Sequence, residues 1–297
     1  AESFFFKNLL DDLQISIMVV RGKENDFKSA VEPFYRTEMS DSSRMQMQAL
    51  LGGLWTQMRN DISQGRKLDT LQIDSLVSVF AVRKLDHAKE VRLIDQTMYR
   101  HEVLTLLKKK VGIDENTPLR LQAFAKYARD TYHDNQLLAR QERHIAVLLA
   151  EGDVATQGEG VSTERMAKML REVRDDDDVK GVVLRINSPG GSPVQAGLIS
   201  DEMLRLKALY KKPLYVVVGE TCASAAYYIA ANADDIFVDK ASIVGSIGVL
   251  MDGFGFTELM QKLGVERRLM TAGANKGLLD PFSPVSPKQQ AHVQGVL

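Results

Sequence analysis

The chain has one cysteine among its 297 residues, Cys222, so no disulfide can form within it. No apolar run approaches the about 18 residues that a membrane-spanning helix needs. Neither an initiator methionine nor a charged-then-apolar leader stands at its start. Charge of one sign is missing as well. The 38 Lys and Arg nearly cancel the 39 Asp and Glu, and a net charge of −1 gives no electrostatic case for nucleic acid or an anionic membrane surface. Of the five histidines (His87, His101, His133, His144, His292), none sits in a recognisable active-site motif. The run Asp175 to Asp178 lacks the glycine and closing glutamate of a calcium loop and reads as a solvated helix-to-strand loop. What remains is a soluble-type composition, 44% hydrophobic and 26% charged, long enough for one large or two medium domains.

What is present begins with a repeat. Lys28-Ser29-Ala30-Val31-Glu32-Pro33-Phe34 and Lys276-Gly277-Leu278-Leu279-Asp280-Pro281-Phe282 both read Lys-small-x-x-acid-Pro-Phe. Upstream, Phe6, Leu9, Leu10, Leu13 and Ile15 align with Phe256, Leu259, Met260, Leu263 and Val265. Two copies of one unit are implied, with the chain starting late in the first and stopping at the same place in the second. It therefore reads as a fragment of a longer protein.

The spacing predicts a short helix from Phe6 to Leu13 and a strand from Ile15 to Val20. From Ser40 to about Tyr132 the pattern is mostly helical. Ser40-Asp41-Ser42 caps a helix whose Met45, Leu50, Leu51, Leu54 and Met58 recur at roughly helical spacing, with Trp55 packing in the core. Asp114 to Pro118 reads as a turn. The polar stretch Leu137 to Arg143 reads as a boundary between a region 1–136 and a domain 144–297. Beyond it, strand and helix alternate. Ile145–Leu149 reads as a short buried strand, Ser162–Arg174 as an amphipathic helix and Val182–Ile186 as a strand. Then come a helix from about Val194 to Tyr210, a strand Leu214–Val218, a helix near Ser224 and a strand Ile236–Val238. This order argues for an α/β layered fold.

Two loops have chemical potential. Asn187-Ser188-Pro189-Gly190-Gly191-Ser192 comes after a strand and precedes a helix. Its glycines permit a sharp turn with exposed N–H groups, which is either a plain tight turn or an oxyanion hole. Ser224, in Thr221-Cys222-Ala223-Ser224-Ala225-Ala226-Tyr227, falls at a strand-to-helix turn and is either an N-cap or a nucleophile. Cys222 has no base beside it and reads as a small buried residue. A nucleophilic serine needs a base. A lysine can serve if burial brings its pKa from about 10.4 to about 7–8, a cost of roughly 3–5 kcal/mol. Lys28 and Lys276, each in a repeated motif beside Pro and Phe, are the candidates.

INSPGGS, CASAAYY, IVGSIGV and K-x-x-x-D/E-P-F, in that order, resemble the signal peptide peptidase A (protease IV) family of serine–lysine peptidases. The resemblance runs through most of 144–297, while 1–135 is similar to the latter part of the first domain of the long, two-domain form. It implies a Clp-protease/crotonase-like layered fold in two repeated domains, the first incomplete, with a helical connecting segment. It implies that Ser224 is the nucleophile. The base would be Lys28 if the long form is followed and Lys276 if the short form is followed. Ser246 would hold the lysine amine, and the Gly191 and Ala225 N–H groups would form the oxyanion hole. Where the family has Ser-Gly-Gly this chain has Ser224-Ala225-Ala226, whose methyls are expected to narrow the site. No metal or other cofactor is implied. The implied partners are cleaved signal peptides, other apolar segments and further copies in a homo-oligomer. The implied location is the periplasmic side of a bacterial inner membrane, reached through an anchor absent from this chain. A crotonase-type acyl-CoA enzyme and a catalytically silent assembly module stand as the alternatives.

Overall fold

The computed structural model describes residues 3–22, 25–114, 116–129, 143–156, 158, 160–273 and 275–296. Most of the predicted polar boundary, residues 137–142, lies outside them. The chain forms two compact units: Ala1–Gly52 with Ala146–Asp176 and Gly181–Leu297, and Gly53–Ile145 with Asp177–Lys180.

The first unit opens with α1 (Lys7–Asp12), β1 (Ser16–Arg21) and the single turn α2 (Glu32–Tyr35). The 26-residue α3 (Asp41–Arg66) begins in this unit and runs on into the second. Next come α4 (Thr70–Ser78), α5 (Leu85–Glu90) and α6 (Arg100–Val111) in the second unit. Asp69 caps α4 through the Leu71 N–H, Glu102 reaches back to the Tyr99 N–H at the start of α6, and Gly112 at φ +70° ends that helix. The apolar stripe predicted for α3 builds no core here. Met45, Leu50, Leu51 and Met58 are exposed, and Ser43 is its one buried residue among those described. Trp55 departs from expectation too. It is half-buried, and its indole N–H donates to Asp74 Oδ1 at 3.0 Å. Arg59 takes the other oxygen of that carboxylate at 2.7 Å. An indole donor is costly to bury without a partner, and Asp74 holds it at the rim.

The α/β part comprises β2 (His144–Glu151), α7 (Thr163–Asp175), β3 (Val179–Ser188), α8 (Pro193–Tyr210), β4 (Leu214–Ala223), α9 (Ala225–Ala230), β5 (Asp235–Phe237) and β6 (Ile243–Gly245). The sheet order is β2-β3-β4-β5, with β6 on the far end of β4. β3, β5 and β6 all pair with β4 in parallel. Parallel neighbours need crossovers, and α8 supplies the one between β3 and β4. Val182, Leu184 and Ile186 of β3 and Leu214, Val216 and Val218 of β4 alternate onto one buried face. Met166 and Leu170 of α7, Ile199 and Met203 of α8 and Ile229 of α9 complete this core. The apolar run of β2 predicts a strand buried throughout, and the structure differs. Leu148 and Ala150 face the core, while Ile145, Val147 and Leu149 are exposed, so the run serves one face only.

The chain closes with β7 (Leu250–Gly255), α10 (Thr257–Lys262) and α11 (Pro287–Val296). β7 pairs antiparallel with β1, from Ser16 opposite Gly255 to Arg21 opposite Leu250. The repeat is visible bond by bond. Phe6 N–H donates to Pro33 O at 2.6 Å, and Phe256 N–H to Pro281 O at 2.7 Å. Ile15 N–H donates to Leu10 O at 2.8 Å, and Val265 N–H to Met260 O at the same distance. The Phe6 and Phe34 rings lie 6.0 Å apart, those of Phe256 and Phe282 5.7 Å. The copies diverge after the Ile15 and Val265 positions. β1 is a paired strand, whereas its counterpart at 266–271 is not a strand.

Candidate active site

Ser224 sits at the tip of β4, where three segments converge. Its strand continues in register with the end of β3 (Ser188 opposite Cys222) and with β6 (Ala223 opposite Gly245). The Ser224 N–H donates to Gly245 O at 2.8 Å. Its backbone is at φ +54°, ψ −121°, a conformation a side-chain-bearing residue adopts at a cost of order 1–3 kcal/mol. As the residue before α9 it could cap the helix, but its hydroxyl makes no capping bond. Ser224 lines a cavity of about 590 Å³, bordered mostly by apolar groups: Pro193, Tyr228, Ala231, Ile247, Val249 and Leu250.

The Pro-Gly-Gly turn reaches the serine because it has no side chains in the way. A methyl on Gly190 (φ +104°) would stand 2.7 Å from Ala223 O and 2.8 Å from Ser224 Cβ. The turn is stitched to buried Val154 on both sides, by Val154 N–H to Gly190 O at 2.8 Å and Ser192 N–H to Val154 O at 2.7 Å. Gly191 and Ala225 both line the serine cavity. Among the described residues, neither of their N–H groups has an acceptor. The methyls of the Ala225-Ala226 pair divide: Ala225 lines the cavity, whereas Ala226 is fully buried and does not, so only Ala225 bears on the width of the site.

Lys28 lines the same cavity. It gets there through the β1–β7 ribbon. Pairing Arg21 with Leu250 sets the loop after β1 beside the segment before β7, although Lys28 and Ser246 are 218 residues apart in sequence. Lys28 Nζ donates to both the carbonyl and the hydroxyl oxygen of Ser246, each at 2.8 Å. Ser246 has φ +50°. Burial lowers the pKa of the Lys28 amine below the ordinary lysine value. A neutral amine that donates its two hydrogens to Ser246 keeps one lone pair to accept a proton.

The structure thus groups Ser224, Lys28, Gly191 and Ala225 around one cavity, with Ser246 behind the amine. It does not bring Lys276 there. That lysine is exposed, and it is not among the described residues that line the serine cavity. Cys222 is fully buried, and desolvation pushes its thiol up to about 11, which keeps it protonated and inert at neutral pH. A second cavity, about 510 Å³ and flanked by β1 and β7, contains Ser16, Asp252 and Asp280 but no lysine or histidine to act as a base. Sequence reasoning missed Asn25, Gly248 and Tyr228. The latter two fall inside or beside recognised motifs, while nothing local marks Asn25.

The model of peptidase family S49 matches residues 1–114 and 207–297. Protease 4 of Haemophilus influenzae is 30% identical over 311 aligned residues, taking in 99% of this chain and 49% of that protein. The chloroplastic serine protease SPPA of Arabidopsis thaliana is 26% identical, over 89% of this chain and 39% of that protein. A Brucella melitensis protein named Na(+)/H(+) antiporter NhaA is 44% identical over 147 residues, which are 48% of this chain and 20% of that protein. The chain thus spans half or less of the length of these curated relatives. Among the described residues no helix is long and apolar enough to cross a membrane.

Proposed function

Because the chain belongs to peptidase family S49, we propose that it carries a serine–lysine endopeptidase site, with Ser224 as nucleophile and Lys28 as general base. The observation that carries this reading is the shared cavity. A half-buried lysine with a lowered pKa, its amine fastened by two bonds to Ser246, opens onto the same space as a strained serine whose hydroxyl caps nothing.

In the first step the Ser224 hydroxyl attacks the scissile carbonyl while its proton passes to the Lys28 lone pair. Charge develops on the carbonyl oxygen, and the Gly191 and Ala225 N–H groups, which have no other acceptor among the described residues, donate to it. Lys28 then returns the proton to the leaving amine, and an ester to Ser224 remains. Water deprotonated by the same amine cleaves the ester and regenerates the hydroxyl. Ser246 keeps the amine oriented through both steps.

The apolar lining of the cavity supports extended, hydrophobic segments as substrates. Signal peptides already released by cleavage fit that description. The membrane that holds them, reached from its periplasmic side, is the proposed place of action, and a homo-oligomer is the proposed form of the intact protein. The test is hydrolysis of a fluorogenic apolar peptide by the intact protein. Ser224→Ala is expected to abolish turnover, and Lys28→Ala to lower kcat by about 10²–10⁴-fold, the range for a lost general base. Lys276→Ala is expected to leave it unchanged. Loss with Lys276→Ala and not with Lys28→Ala would sink the assignment of the base.

A further inference from the structure

The lysine loop is fastened to the cavity wall at two points, and only one of them is the amine. The second is Asn25. Its Nδ2 donates to Val249 O at 3.4 Å. Its side-chain amide also lies against Gly248, where an added methyl would stand 2.6 Å from Nδ2 and 3.0 Å from Oδ1. Gly248 is at φ +135°, so a glycine meets two needs there, the backbone angle and the contact. Between the anchors the loop makes a tight turn, with the Lys28 N–H donating to Asn25 O at 3.2 Å. The partners of the two anchors, Ser246 and Gly248–Val249, fall within one four-residue stretch, and Gly248 and Val249 form part of the wall of the serine cavity.

The second copy of the repeat acts as an internal contrast. Lys276 makes the same turn, its N–H donating to Gly273 O at 3.3 Å. There the place of Asn25 is taken by Gly273, which has no side chain to anchor anything, and that lysine stands exposed.

We propose that Asn25 is a positioning residue for the general base: by clasping Gly248 and Val249 it holds the lysine loop so that Lys28 reaches Ser246 and the cavity. The inference rests on the serine–lysine reading above. An amine held a fraction of an ångström from its working place loses proton-transfer efficiency, and misplacement by about 1 Å costs about 10²-fold. Loosening the loop also lets water reach the amine and returns it toward ordinary lysine behaviour. Among the described residues, the other titratable groups near it are Asp26 on its own loop and Tyr227 and Tyr228, which line the cavity. The described lining of the space on its other side, from α3 and β6, adds none.

The experiment is the pH profile of kcat/KM on the fluorogenic peptide for the intact protein, Asn25→Ala and Asn25→Asp. Thermal unfolding and Ser224→Ala are measured alongside. Asn25→Ala is expected to lower kcat about tenfold and to move the acid limb to higher pH, with little change in Tm. Asn25→Asp keeps the shape but replaces the donor by a carboxylate near the amine, and is expected to move the limb further the same way. If kcat falls while the limb stays in place in both variants, Asn25 is merely structural and the inference is overturned. Unchanged kcat overturns it too. Cleavage that survives Ser224→Ala removes the serine–lysine reading and this inference with it. A required Ser224 with an unmoved limb removes this inference alone.

Discussion

Replacing Gly191 by alanine tests the oxyanion assignment where the geometry is least forgiving. The added methyl would stand 2.2 Å from the carbonyl oxygen of Val154 and 3.0 Å from its carbon. A close carbon–oxygen contact is about 3.3 Å, so the two must part by about 1.1 Å. Val154 cannot give way. It is 2% exposed, and its N–H and carbonyl both hold the turn that carries Gly191. The turn itself must move, and at φ +143° an alanine adds backbone strain of order 1–3 kcal/mol. An N–H displaced by about 1 Å leaves the 2.7–3.1 Å window in which it stabilises an oxyanion, and loss of one such donor costs about 10²–10³ in kcat. The assay is kcat on the fluorogenic peptide, corrected for the folded fraction from circular dichroism. The expected outcome is a fall of at least about 10²-fold in kcat with a lowered Tm. A folded variant within about threefold of the parent would refute the placement of the oxyanion at Gly191.

Two further outcomes are expected of the same structure. On the proposed mechanism, activity depends on Lys28 being neutral. Burial lowers its pKa, so kcat/KM should rise with pH through a value below the ordinary lysine range and be lost as pH falls below it, as a rate series at constant ionic strength will show. A midpoint at about 10.4 or above would mean that the amine is solvated. Asp74→Ala removes the acceptor of the indole N–H of Trp55, the chain's one tryptophan, and the partner of Arg59, a half-exposed arrangement worth about 1 kcal/mol. A red-shifted emission and a lower urea midpoint are expected, and an unmoved spectrum would mean that the bond does not hold the ring.

The sequence by itself determined much of the local structure and put forward the candidate residues of the site. The alternation of strand and helix signals places β3, α8 and β4, and the amphipathic pattern places α7, because burial on one face of a helix imposes a period of 3.6. The Lys-to-Pro-Phe repeat declares two copies, and the structure builds both with the same hydrogen bonds. Ser224 at a strand-to-helix turn and the Pro-Gly-Gly turn were legible because that geometry is local, whereas the roles proposed for Ser224, Gly191 and Ala225 came from the family resemblance. Burial was less so: β2 and α3 look equally apolar whether or not a neighbour covers them, and Trp55 sits at a rim because its N–H needs Asp74. The choice between Lys28 and Lys276 was beyond any local pattern, since both motifs make the same turn. The antiparallel pairing of β1 with β7 separates their surroundings, setting the Asn25–Lys28 loop against Ser246 to Val249 while Lys276 remains in solvent, and the proposed assignment of Lys28 rests on that difference. The group that holds the Lys28 amine, Ser246, lies more than 200 residues away in the chain, and only the fold brings the two together.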